Sequence, residues 1–399
     1  MEESNWGMET KLDKYWKVKP MKILIVSDFF VPHYNGGGER RYFEIARRLV
    51  ERGHEVDVIS MGIHGVSGYE EINGIRVHHL GPRIRKPPIR RPLDFIRFMA
   101  AAFRWMMTHN YDIIDAQTYA PLPPSFLASR IRGTPMVATI HDVSSPHGDQ
   151  WLQSTKTATL LERVLMRLPY DGVITVSRST ASALTELHGR NPDGIHIIPN
   201  GVDPELIDSV KPATGNYIIF VGRLAPHKHV DHLIEVFSKL ITDFPDLRLE
   251  IIGDGVERTR LEAMVDDCGI RDSVTFHHNL NYPEVISLIK GSRVLVLPST
   301  REGFGMVLAE AGACGVPAVA YRSGGVVEVI DDGENGFLVE PCDKEALHDR
   351  IKLLISDDEL RDRMGSKGRR KVEEKFIWDR VVDEIERTYS FIIARKNTP

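Results

Sequence analysis

The stretch MKILIVSDFF (residues 21–30) contains an uninterrupted apolar run that ends at Ser27 and Asp28. A run of this length, bounded by polar residues, predicts a strand buried on both faces. The loop VPHYNGGGER (31–40) follows, and the apolar spacing of RRYFEIARRLVERG (40–53) then predicts a helix that ends at a glycine. The next apolar stretch, HEVDVIS (54–60), predicts a second strand. This strand–helix–strand order predicts a parallel α/β unit.

The same alternation recurs along the chain in two series of short apolar strands separated by helical segments. The first series continues through DIIDAQ (112–117), MVATIHD (136–142), GVITVS (172–177) and GIHIIPN (194–200). The second comprises NYIIFVGRL (216–224), LRLEIIGDG (247–255), SVTFHH (273–278), SRVLVLPST (292–300), VPAVAYRSGG (316–325) and GFLVEP (336–341). Two such series predict an α/β protein with two Rossmann-like, doubly wound domains that face each other across a cleft.

The domain boundaries follow from these two series. The proline-containing polar stretch PNGVDPELIDSVKPATGN (199–216) is the best linker candidate. In sheets of this type ligands bind outside the carboxyl ends of the strands, so we expect the active site between the domains. The predicted segments are a flexible tail (1–20), a first domain (21–200), a linker (201–215), a second domain (216–375) and a last helical segment (376–399).

Composition excludes several classes of protein. The net charge of -5 gives no reason to expect a nucleic-acid partner. The three cysteines are widely spaced and form no CxxC pair, which favours reduced thiols in a cytoplasmic protein. No apolar run approaches the ~20 residues that a membrane-spanning helix needs.

Two cations follow the first strand of the second series. In IIFVGRLAPHKHVDHLIEVF, Arg223 and Lys228 lie on a loop between a buried strand and a helix. Positive charge at a strand's carboxyl end and a helix start favours binding of a polyanion such as a diphosphate. The alternative is a solvated loop with two ordinary cations.

The stretch STREGFGMVLAEAGACGVP (299–317) places two acids around a glycine turn. Gly303 and Gly305 allow backbone amides to approach a ligand closely, and a helix is expected to start near Gly305. Glu310, one and a half turns into that helix, is suited to accept hydrogen bonds from a ribose diol, and Glu302 could reach hydroxyls on the other side of the phosphates. The alternative is a capping acid and a helix-surface acid.

Two further features lie at strand ends of the first series. Gly36 to Gly38 precede a helix and could present amides to phosphate, although the GxGxxG fingerprint is absent. His141 ends a strand and could donate a hydrogen bond to a sugar oxygen or stabilise developing charge, but most of the 16 histidines are expected to be structural. No HExxH motif and no spaced Cys/His set predicts a metal site.

Taken together, these motifs resemble the retaining nucleotide-sugar glycosyltransferases of family 4, which have the GT-B fold. The resemblance covers roughly residues 21–390 and includes IPNGVD, FVGRLAPHKHVDHLIEVF, LEIIGDG and the Glu-x7-Glu segment from Glu302 to Glu310. It implies transfer of a hexose from a nucleoside diphosphate sugar such as a UDP- or GDP-sugar, with no cofactor and no metal.

The resemblance also implies a role for each matching residue. Catalytic roles fall to Arg223 and Lys228 at the diphosphate, Glu302 at the donor sugar and His141 beside the transferred sugar. The donor-binding residues are Gly37, Gly38, Phe304, Gly305, Met306 and Glu310, of which Glu310 binds the ribose and the two N-terminal glycines complete the phosphate site. The last helix, around 374–394, is expected to cross back to the first domain through its periodic apolar residues Trp378, Val381, Ile385 and Tyr389.

The acceptor is a separate question. GPRIRKPPIRRPLDFIRFMAAAFRWMM (81–107) combines a basic, proline-rich loop with an aromatic helix, which suggests peripheral contact with an anionic membrane at the cytoplasmic face and a lipid-linked or glycan acceptor. The alternative is an exposed loop and a helix that packs on the sheet through Leu93, Ile96, Ala100 and Phe103. Rival functions are a sugar-phosphate or sucrose-type synthase with a soluble acceptor, a catalytically idle nucleotide-sugar-binding protein and, more remotely, a Rossmann oxidoreductase.

Overall fold

The fold is described from a computed structural model, which covers residues 19–34, 36–117, 119–143 and 156–397. The predicted flexible tail therefore lies almost wholly outside the described residues. The chain forms two parallel α/β sheets, as the alternating pattern predicts.

The first sheet has eight strands in the order β3-β4-β2-β1-β5-β6-β7-β8. The strands are β1 (Lys22–Val26), β2 (Glu55–Ile63), β3 (Tyr69–Ile72), β4 (Ile75–Ile84), β5 (Ile113–Gln117), β6 (Met136–Ile140), β7 (Gly172–Thr175) and β8 (Ile195–Ile197). The helices of this half are α1 (Gly37–Glu51), α2 (Pro92–Thr108), α3 (Leu122–Arg132), α4 (Lys156–Arg167), α5 (Arg178–His188) and α6 (Pro204–Ser209). Helix α6 lies inside the segment predicted as a linker.

One part of this sheet differs from the expected parallel order. Strand β3 runs antiparallel to β4, and the sequence analysis placed neither strand. Asn73 and Gly74, between them, both have positive φ, which is the backbone of a tight hairpin turn. The hairpin adds an antiparallel edge to an otherwise parallel sheet.

The second sheet has six strands in the order β11-β10-β9-β12-β13-β14, all parallel. The strands are β9 (Tyr217–Val221), β10 (Arg248–Ile252), β11 (Val274–His277), β12 (Val294–Leu297), β13 (Ala318–Tyr321) and β14 (Gly336–Val339). The remaining helices are α7 (Val230–Asp243), α8 (Arg258–Asp267), α9 (Tyr282–Gly291), α10 (Met306–Ala313), α11 (Val326–Val329), α12 (Lys344–Ser356), α13 (Asp358–Lys375) and α14 (Trp378–Asn397). We call the half around the first sheet the N-terminal lobe and the half around the second the C-terminal lobe.

The chain crosses between the lobes twice, and the two crossings run side by side. The Val202 amide donates to the Phe376 carbonyl (2.8 Å), and the Trp378 amide donates to the Val202 carbonyl (3.2 Å). A Cβ atom on Gly201 would lie 2.8 Å from the Trp378 backbone. Only glycine therefore allows the crossings to approach this closely.

Helix α14 crosses back to the N-terminal lobe, as predicted. Its residues Trp378, Val381, Ile385 and Tyr389 are buried in one core with strands β1 and β2 and helix α1. The Tyr389 hydroxyl donates to the buried carboxylate of Asp115, which also accepts from the Thr139 hydroxyl. Across the described helices, none combines the length and apolar character needed to cross a membrane.

Candidate active site between the lobes

The predicted cations lie on the loop after β9. Arg223 is exposed and its guanidinium donates to the Tyr34 hydroxyl of the N-terminal lobe (3.0 Å). Lys228 forms an ion pair with Glu302, and both side chains are mostly buried, at 15% and 13% exposure. The structure therefore joins two predicted residues, Lys228 and Glu302, and points Arg223 across the lobe boundary.

The turn before α10 is held by backbone contacts. Gly305 has a φ of 85° immediately before the helix, a conformation that favours glycine. The Gly325 amide donates to the Glu302 carbonyl (2.9 Å), which fixes the backbone at Glu302. The Phe304 ring is buried against Phe376. Phe304 can therefore offer a ligand its amide, but not its ring.

Glu310 lies on the buried side of α10. Burial raises the pKa of its carboxyl, while the nearby Arg40 guanidinium and a hydrogen bond with Tyr282 act to lower it. Arg40 comes from the N-terminal lobe and stacks over the Tyr282 ring at 3.3 Å from the centroid. A ribose that binds Glu310 would have to displace the Arg40 side chain.

The glycine turn of the N-terminal lobe packs tightly against its surroundings. A Cβ atom on Gly37 would lie 3.4 Å from the Met306 sulfur of the C-terminal lobe. A Cβ atom on Gly38 would lie 2.5 Å from Gln117 Nε2 and 3.5 Å from His141 Nε2. The structure thus brings Gly37, Gly38 and Met306 into one neighbourhood, and a larger residue at Gly38 would have to displace the Gln117 side chain.

His141 follows β6 beside this turn. Burial, with a smaller contribution from Arg41, lowers the pKa of its imidazole to about 3. Its Nε2 atom is buried and has no hydrogen-bond partner within the described part of the chain. Buried polar atoms are rarely left unpaired, so this atom is available for a ligand.

The lobes touch beside His141. A Cβ atom on Gly303 would lie 2.1 Å from the His141 carbonyl oxygen. Asp142 forms an ion pair with Arg301 of the C-terminal lobe. A second contact joins the Glu328 carboxylate to the amide of Arg178 at the start of α5 (2.6 Å).

Sequence reasoning missed several residues of this boundary. Tyr34 and Arg40 were not singled out, although the loop VPHYNGGGER contains both. Burial raises the pKa of the neighbouring Glu39 to about 7, with Asp28 adding to the shift. No local pattern pairs Arg40 with Tyr282 or Asp142 with Arg301, since only the folded chain brings these residues together.

Two clusters of the described residues have ligand atoms close enough to hold a metal ion. One comprises His33, Glu70 and His79, and the other comprises His229, Asp231 and His232. Neither contains a residue that the sequence analysis assigned to the donor site.

Two parallel α/β lobes with polar residues gathered at their boundary define the GT-B architecture. Family models match both halves of the chain: Glycosyltransferase Family 4 over residues 35–206 and Glycosyl transferases group 1 over residues 203–371. The chain belongs to this group 1/family 4 of glycosyltransferases, retaining hexosyltransferases that transfer sugar from a nucleotide-sugar donor.

Curated relatives match along almost the whole chain. An uncharacterised glycosyltransferase of Methanocaldococcus jannaschii is 29% identical over 92% of this chain and 98% of its own length. D-inositol 3-phosphate glycosyltransferase of Acidothermus cellulolyticus is also 29% identical, over 91% of this chain and 88% of its own.

Solved structures share the fold. Sucrose-phosphate synthase from Thermosynechococcus elongatus superposes with a TM-score of 0.81 at 22% identity, over 94% of this chain and 99% of that one. Anabaena HepE, solved in complex with UDP-glucose, gives 0.76 at 22% identity, over 93% and 100%.

Proposed function

We propose that this protein transfers a hexose from a UDP- or GDP-sugar, with retained anomeric configuration, to a hydroxyl of a lipid-linked or glycan acceptor. One observation carries the proposal. The unpartnered Nε2 atom of His141 lies beside Gly38, at the boundary where Met306 and Gly303 of the C-terminal lobe meet the N-terminal lobe. An unpartnered buried nitrogen at this boundary supports the binding of a polar ligand, such as a sugar, between the lobes.

The diphosphate would bind where the two lobes meet. Arg223 and Lys228 supply positive charge on the C-terminal side, and the amides after Gly305 add the positive end of α10. Gly37 and Gly38, at the start of α1, supply amides on the opposite side. These groups would stabilise the diphosphate as it leaves the sugar.

The sugar would lie between His141 and Glu302. Because the imidazole of His141 is neutral, its Nε2 atom can form a hydrogen bond with a sugar hydroxyl without placing a positive charge beside the sugar. Glu302, paired with Lys228 in the free protein, would accept from sugar hydroxyls once Lys228 turns to the phosphate. The acceptor hydroxyl attacks from the face the diphosphate leaves, and the departing phosphate oxygen takes its proton.

Glu310 is proposed to bind the nucleotide ribose. It is the acid that the family resemblance assigns to this role, and it lies beside the Tyr282 hydroxyl, which acts to lower its pKa. Ribose hydroxyls would take over that position after Arg40 moves away. The UDP-glucose complex of HepE supports a uridine donor.

A donor panel tests the first part of the proposal. Purified protein is mixed with UDP-, GDP- and ADP-sugars, and its thermal unfolding is followed. A donor at about 100 times its dissociation constant stabilises the protein by roughly 2.7 kcal/mol. NMR of the first product must then show the donor's own anomer, and an inverted linkage contradicts a retaining mechanism. Donor turnover separates this enzyme from an idle binding protein.

The acceptor side of the proposal rests on the surface of α2. The alternative packing of α2 through Leu93, Ile96, Ala100 and Phe103 holds only at Phe103, which packs against the core. Leu93, Ile96 and Ala100 are exposed, as is Ile89 before the helix, whereas the helix buries Phe98, Ala102 and Met106. Exposed basic residues lie close to these apolar residues in sequence: Arg83, Arg85, Lys86, Arg91 and Arg97. Exposed apolar side chains in a basic segment suit the interface of an anionic membrane, where a lipid-linked acceptor would be presented.

Co-sedimentation with vesicles tests this surface. Phosphatidylglycerol vesicles at low salt should pellet the protein, and phosphatidylcholine vesicles should not. Replacing Leu93 and Ile96 together by aspartate should abolish pelleting, whereas Leu353→Asp, an exposed leucine on α12, should have no effect. Equal pelleting of the double variant contradicts membrane contact through α2.

A soluble phosphorylated acceptor is the second candidate. It is favoured by the similarity to D-inositol 3-phosphate glycosyltransferase, whose name states a small phosphorylated acceptor. Transfer to inositol phosphate in the absence of any lipid, together with failure to bind vesicles, would establish this candidate over the first.

A further inference from the structure

Three side chains from the loop after β1 and from the hairpin of β3 and β4 meet near the glycine turn at Gly36 to Gly38. His33 lies on the loop after β1, Glu70 on β3 and His79 on β4. Both imidazoles present Nε2 to the same carboxylate oxygen of Glu70, at 2.7 Å for His33 and 3.1 Å for His79. We propose that these three side chains bind a divalent cation of the zinc class, a site distinct from the donor-binding residues.

The hairpin creates two of the three ligand positions. Glu70 pairs with Val77 across the antiparallel ladder, and His79 lies two residues beyond Val77. Because side chains alternate along a strand, Glu70 and His79 emerge on the same face. The loop after β1 then brings His33 over this face, with its ring centroid 5.6 Å from that of His79.

The second ring nitrogen of His79, Nδ1, has hydrogen-bond partners of the kind that metal-binding histidines have. Its Nδ1 atom lies 2.9 Å from the Ser60 hydroxyl and 3.4 Å from the Met61 carbonyl. An Nδ1–H that donates to these oxygens leaves the lone pair of Nε2 directed at the cluster. Metal-binding histidines usually have such a partner on the other ring nitrogen.

The spacing of the three ligand atoms suits a tetrahedral ion. Ligand bonds of about 2.0–2.1 Å at tetrahedral angles place neighbouring ligand atoms about 3.3 Å apart. The two distances to Glu70 are slightly shorter, and all three atoms lie within 4.8 Å of one another. The side chains of His33 and Glu70 remain 24% and 29% exposed, so water can reach the fourth position. Two imidazoles and a carboxylate favour zinc and its transition-metal neighbours over calcium or magnesium.

The second cluster is a weaker candidate and a useful control. Its histidines are bonded to hydroxyls, His232 to Tyr321 (2.9 Å) and His229 to Thr300 (3.2 Å). Its carboxylate, Asp231, forms an ion pair with Arg260 (3.2 Å). An arginine beside the carboxylate opposes a bound cation.

A bound cation would restrain the loop between β1 and α1, which contains His33 and leads to the glycine turn. Tyr34, which accepts a hydrogen bond from Arg223, directly follows His33 in sequence. A metal that ties His33 to β3 and β4 therefore restrains the loop segment that meets the C-terminal lobe. The site stabilises this contact and takes no part in the transfer itself.

Equilibrium dialysis of the full-length, metal-free protein against Zn²⁺ tests the proposal, with bound metal measured by atomic emission. The wild type should take up one equivalent more than His33→Ala and Glu70→Gln, each of which should bind that equivalent at least about 100-fold more weakly. His229→Ala, which disrupts the second cluster, should keep it. Circular dichroism confirms that each variant is folded.

A second measurement does not depend on counting metal. Zn²⁺ should raise the thermal unfolding temperature of the wild type and of His229→Ala, but not of Glu70→Gln. Co²⁺ bound to the wild type should show the visible absorption of a tetrahedral site. Wild-type protein that takes up no Zn²⁺, or variants of His33 and Glu70 that bind it as the wild type does, would overturn the proposal.

Discussion

The two sides of the lobe boundary use different chemistry for the same task. On the C-terminal side the polar residues are charged, and Lys228 and Glu302 neutralise each other within one lobe. On the N-terminal side the groups proposed to bind the donor are glycine amides and the neutral, unpartnered imidazole of His141, although Arg40 and Asp142 also reach the boundary. In the proposed mechanism, charge for the leaving group would therefore come from one lobe and neutral hydrogen bonding to the sugar from the other.

Burial explains this difference. Lys228 is mostly buried but paired with Glu302, and the carboxylate offsets part of the cost of burying its charge. The interior around His141 lies next to the cationic Arg41, and a second positive charge there is unfavourable. Each side therefore carries the groups that its own surroundings can stabilise.

Removing positive charge from the C-terminal side should have the largest effect. Lys228→Ala and Arg223→Ala should each lower turnover by about 10²-fold or more, because each removes a charge fixed near the leaving diphosphate. Steady-state kinetics with the best donor measure this loss. Lys239→Ala, an exposed lysine on α7, is the matched control and should match the wild type. Near-normal turnover in both active-site variants removes them from the catalytic centre.

The difference between the two sides also depends on the chain crossings that join the two lobes. Gly201→Ala places a Cβ atom against the Trp378 backbone and should destabilise the protein by about 1–3 kcal/mol. Urea unfolding measures the change. At Gly194 an added Cβ atom meets no neighbour, so Gly194→Ala should leave stability nearly unchanged. Equal midpoints for the two variants would show that the close approach of the crossings is unimportant.

The neutral side is tested at His141. His141→Ala should lower kcat/KM by about tenfold, the smaller loss expected for an uncharged hydrogen bond, and His141→Asn should recover part of it. With a pKa of about 3, the imidazole stays neutral from pH 5 to 8. The pH profiles of wild type and His141→Asn should therefore have the same shape in that range. An inflection near pH 6.5 that His141→Asn abolishes would contradict a neutral imidazole.

The smallest expected effect concerns Glu39, the acid at the start of α1. Its pKa is raised from 4.5 to about 7, so the folded state holds this proton more tightly than the unfolded chain does. Stability should fall as pH rises from about 4.5 through 7. Glu39→Gln should remove that loss. Its free energy of unfolding should exceed that of the wild type by about 1 kcal/mol at pH 8, and by less at pH 5.5. Urea unfolding of both proteins at the two pH values measures this difference. A difference in free energy of unfolding that is larger at pH 5.5 than at pH 8 would contradict the raised pKa of Glu39.

The fold could be predicted because buried parallel strands leave uninterrupted apolar runs. The exception was the hairpin of β3 and β4, whose strands contain charged and polar residues and so escaped a search for apolar runs. Asn73-Gly74 was the available signal, since this dipeptide is typical of tight hairpin turns. Missing the hairpin also hid the cluster of His33, Glu70 and His79.

The positions of Arg223, Lys228 and His141 after strand ends could be predicted from the sequence, because the apolar runs before them mark the strands. The pairings within the candidate site could not be predicted, because Arg40 with Tyr282 and Asp142 with Arg301 depend on how two separately wound lobes meet. The ion pair of Lys228 with Glu302 likewise joins the ends of two neighbouring strands, β9 and β12, that are distant in sequence.

The most direct test of the account is a crystal structure of the protein with its preferred nucleoside diphosphate. The account predicts the diphosphate between the lobes, within hydrogen-bond distance of Arg223, Lys228 and the amides of Gly37 or Gly38. A nucleotide bound elsewhere, or one whose phosphates contact neither cation, would contradict it.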